Sequence, residues 1–112
     1  MVACVWQTGD VGFVPAGAGH FDAAEATEVR RAAEETAAYG ASLAEKAGFR
    51  AQSTAVESAP TWRGIVAVAE ERGASLIVLG AHRRRGLAGH LLGSVSAAVL
   101  AHSGPAVLIV HS

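Results

Sequence analysis

The stretch Ser75–Ser112, SLIVLGAHRRRGLAGHLLGSVSAAVLAHSGPAVLIVHS, decides the fold. Leu76–Leu79 and Ala106–Val110 are short aliphatic runs of the kind buried in parallel sheets. Between them lie a loop rich in Gly and Arg and a segment, Leu91–His102, with helical character. Gly104-Pro105 then stops the helix. A glycine-bearing loop between a strand and a helix N-terminus can hold an anionic group, because backbone amides and the helix dipole both favour negative charge.

The rest of the chain repeats that alternation. Val2–Gln7 reads as a strand. Thr8–Phe21, with Gly9, Gly12, Pro15, Gly17 and Gly19, reads as a loop. Asp22 with Glu25 forms a capping-box-like start for a helix over Ala23–Ala47. Its expected apolar stripe is Ala26, Val29, Ala33, Ala37, Leu43 and Ala47, with Gly40 as a weak point and Gly48 as the stop. Arg50–Val56 alternates like a strand with one wetter face. Pro60-Thr61 opens a helix to Arg72, with Ile65, Val66, Val68 and Ala69 inward and Gly73 ending it. Strands alternating with helices imply an α/β class and an open parallel sheet with right-handed crossovers. Leu76–Leu79 is expected to be fully buried.

Composition narrows the function. The 112 residues are 51% hydrophobic and 17% charged, enough for one folded domain. A net charge of −1 argues against bulk nucleic-acid binding. The apolar runs fall far short of the ~20 residues that span a bilayer. Val-Ala-Cys-Val-Trp after Met1 has no basic region, so no signal peptide is expected. The single cysteine, Cys4, excludes an intrachain disulfide and reads as a small core residue. Trp6 and Trp62 read as packing residues. His82 and His90 stand at no metal-ligand spacing. No nucleophile–base–acid set is legible.

The segments SLIVLG, RGL, LLGSVS and PAVLIV, in this order of elements, resemble the universal stress protein family. Nucleotide-binding members carry Gly, two residues, Gly, nine residues, Gly, then Ser or Thr. Gly80, Gly93 and Ser94 match that pattern, and Arg83 stands in place of the second glycine. The resemblance implies a three-layer α/β/α, Rossmann-like sheet with four strands and three helices in this chain. It also implies a single domain over residues 1–112 that lacks the family's first strand and helix. That strand lies centrally in the family sheet. Its absence would leave two strand pairs with unpaired inner edges, unless the chain is a fragment of a longer product, a partner chain supplies the strand or the remaining strands close the gap. A truncated product compensated by self-association is the expectation.

By the same resemblance, the cofactor is ATP, with Mg²⁺. Val5 faces the adenine, and Gly80, Ala81, His82, Arg83, Gly93, Ser94 and Val95 surround the phosphates. Arg83 puts a side chain where a phosphate-facing amide is expected, which implies a weakened or lost site. Arg83, Arg84 and Arg85 also have the chemistry to attract phosphate, or to form a solvated basic loop. Any ATP hydrolysis would be slow. The implied role is a cytoplasmic stress-response module, regulatory or interacting with protein partners, and the Ala-, Gly- and Arg-rich composition points to a bacterial source. It would be homodimeric, through strand exchange or pairing of Ala106–Val110.

Overall fold

The computed structural model describes residues 1–7, 23–81 and 93–111. It is an α/β protein, with four strands and three helices among the described residues. These are β1 (Val2–Trp6), α1 (Ala23–Lys46), β2 (Ser53–Glu57), α2 (Thr61–Glu71), β3 (Leu76–Ala81), α3 (Ser94–His102) and β4 (Ala106–His111). The candidate cap Asp22 and the loop over residues 8–21 lie outside the described residues. The chain divides into two compact units, Met1–Thr61 and Trp62–Ser112. Among the described residues each unit holds one parallel pair of strands, β1-β2 in the first and β3-β4 in the second. The expected strand pairs are present, as two separate two-stranded sheets.

In the first unit β1 runs parallel to β2 from Val2 beside Ser53 to Trp6 beside Glu57. The second strand begins at Ser53, three residues later than its sequence pattern suggests, and Arg50 and Gln52 are exposed ahead of it. Helix α1 packs on both strands through Ala33, Ala37 and Ala41, all buried. Leu43 is 47% exposed and Ala47 is exposed, so neither belongs to the inward stripe. Small residues line the contact because helix and sheet approach closely. Gly40 lies at one close approach: a Cβ there would lie 2.9 Å from Cγ1 of Val2. This glycine is therefore a packing requirement rather than a defect in the helix. The helix stops as expected at Gly48, whose φ of +95° is open to glycine. Phe49 N–H donates to the Ala44 carbonyl and Gly48 N–H to that of Glu45, both at 3.0 Å, the paired bonds of a Schellman stop.

In the second unit β3 runs parallel to β4, Leu76 beside Ala106 through Ala81 beside His111. Helix α2 buries Gly64, Val66, Val68 and Ala69 and ends in the same stop, with Gly73 at φ +60°. The core gathers Ala69 of α2, Ile77 of β3 and Val99 of α3, which is fully buried. Trp62, Ile65, Leu79 and Val107 pack around it. β3 is not buried throughout, as its aliphatic run suggests. Side chains alternate across a strand, and the helices cover only the face carrying Ile77. On the other face Leu76, Val78, Leu108 and Val110 are 48–59% exposed. Among the described residues no helix is long and apolar enough to cross a membrane.

Candidate functional site

The expected phosphate end falls in the second unit. β3 continues through Gly80 and Ala81, which pair with Val110 and His111 of β4. Gly80 thus lies within the strand rather than ending it. Among the described residues, a Cβ built on Gly80 would meet nothing within 4 Å. His82 and Arg83, together with Arg84, Arg85 and His90, lie outside the described residues.

Helix α3 starts at Ser94, later than Leu91. Gly93 is its N-cap, extended at φ −60°, ψ 158°, with no side-chain hydrogen bond capping the helix. Ala97 N–H donates to the Gly93 carbonyl at 3.0 Å, closing the first turn. The amides of Ser94, Val95 and Ser96 precede that bond and have no acceptor within the helix. Among the described residues, a Cβ on Gly93 would likewise meet nothing within 4 Å. Ser94 is exposed, and Val95 is 38% exposed. A cluster of helix N-terminal amides flanked by glycine is suited to an anion. Ser96 is the residue that sequence reasoning passed over. It sits in the same first turn, 6% exposed, and its signal is the second serine of GSVS.

Val5 belongs to the first unit. Val2 N–H donates to the Gln52 carbonyl at 2.7 Å, and Ser58 N–H donates to the Trp6 carbonyl at 3.0 Å. In a parallel ladder alternate residues bond to one neighbour, so Val2, Cys4 and Trp6 serve β2. The N–H and C=O of Ala3 and Val5 point to the opposite edge, where no strand neighbours β1 among the described residues. Beside that edge lies an open cleft of about 350 Å³, between Cys4–Trp6 and Glu28, Val29, Ala32 and Thr36 of α1. Three consecutive strand residues line it, which places the cleft at the strand edge rather than over one face. A donor and an acceptor on one extended residue match the hydrogen-bonding edge of a planar heterocycle such as adenine. Cys4 is half-buried here, and Trp6 is 7% exposed as a core residue.

Comparison with known proteins supports this architecture. The crystal structure of a hypothetical protein, PH0823, matches with a TM-score of 0.70 at 22% sequence identity, covering 98% of this chain and 73% of that one. At that identity the likeness shows the fold. No curated protein matches the chain. The model of the universal stress protein family matches residues 1–111. On that match, spanning both units and the alternating strands and helices just described, the chain belongs to the universal stress protein family.

Proposed function

We propose that this universal stress protein acts as a regulatory interaction module of the stress response, self-associating and with a weakened nucleotide site. The observation that carries this reading is the bare apolar face of β3 and β4. Leu76, Val78, Leu108 and Val110 stand side by side and half-exposed. Parallel sheets are ordinarily covered on both faces, and exposed aliphatic patches mark contact surfaces for other proteins. Arg83, in place of the motif glycine, adds side-chain bulk where a phosphate would meet a bare amide. The edge of β4 is a second contact surface of the same reading, since strand edges pair readily.

A second reading, ATP binding with Mg²⁺, is favoured by the helix N-terminal amides behind Gly93 and by the absence, among the described residues, of any atom within 4 Å of a Cβ on Gly80 or Gly93. Phosphates would sit on the amides of Ser94 and Val95 in the second unit. Hydrolysis would remain slow, with the chain serving as a ligand-sensing switch.

Calorimetric titration with ATP and Mg²⁺ separates the two readings. The weakened-site reading expects no saturation at millimolar ATP for the native chain and measurable binding for Arg83→Gly. Saturable binding by the native chain establishes the second reading. Absence of binding by both proteins removes Arg83 as the cause.

A further inference from the structure

We draw no further inference here: the strongest candidate, the open cleft between β1 and α1 lined by Cys4, Val5, Glu28, Val29, Ala32 and Thr36, carries nothing, because nothing in the structure shows what covers it.

Discussion

The indole of Trp62 and the imidazole of His102 stack with ring centroids 4.1 Å apart and planes 13° from parallel. Trp62 lies in the first turn of α2 and His102 is the last residue of α3, so the stack ties two helix ends together inside the second unit. Arg63 adds a guanidinium 5.5 Å from the centre of the indole ring. Both contacts extend the core around Val99, on which Trp62 also packs.

Replacing His102 by Ala removes the stack while leaving the buried core intact. The expected cost is about 0.5–1.5 kcal/mol, the usual worth of a ring pair beyond its area. Chemical denaturation measures it. Fluorescence in a Trp6→Phe background gives a second readout, because uncovering Trp62 shifts its emission to the red.

Gly40→Ala sets two effects against each other. Alanine favours the helix by up to about 1 kcal/mol, but its Cβ would lie 2.9 Å from Val2. Overpacking of this kind costs roughly 1–3 kcal/mol, so the single variant is expected to be less stable. Val2→Ala makes room for the new methyl. The pair Val2→Ala with Gly40→Ala is therefore expected to be more stable than the sum of the single effects. A double-mutant cycle in urea reads the coupling.

The two faces of β3 should respond in opposite ways. Ile77 is 7% exposed, and Ile77→Ala is expected to cost about 2–5 kcal/mol. Val78, one residue on, is 59% exposed, and Val78→Lys is expected to change stability by no more than about 0.5 kcal/mol. The lysine should also lower binding of a hydrophobic dye. A large loss of stability from Val78→Lys would show that the face is covered in solution.

Val99 is the fully buried side chain at the junction of α3 with Ala69 and Ile77. Val99→Ala deletes two methyl groups and is expected to cost about 2 kcal/mol, lowering the thermal midpoint by several degrees. If α3 is the mobile member of the core, hydrogen exchange at Ala97 and Ser103 will accelerate ahead of β3. Both amides are donors in bonds belonging to α3.

Much of the fold is legible because its signals are local. The helix stops at Gly48 and Gly73 are written in single residues, since only glycine takes the positive φ each stop requires. The strands β1, β3 and β4 stand out as aliphatic runs, and the family is carried by SLIVLG, LLGSVS and PAVLIV. The site is only partly legible. Gly93 and Ser94 flag the start of α3, but sequence spacing places Gly93 inside the helix, where it is the cap. Ser96 has no pattern that separates a buried serine from an exposed one.

The sequence by itself determined the order of elements, the parallel α/β class and the family, because hydrophobic period, glycine stops and short motifs act through neighbours along the chain. Tertiary structure alone decided which residues of those elements are covered. Leu43 and Val78 look like core residues in sequence and are exposed. Gly40 looks like a defect and sits where α1 comes close to Val2 of β1. Burial depends on what packs against a face, and that β1 pairs with β2 and β3 with β4 is decided by tertiary structure, because pairing is a property of two strands that one strand's residues do not encode.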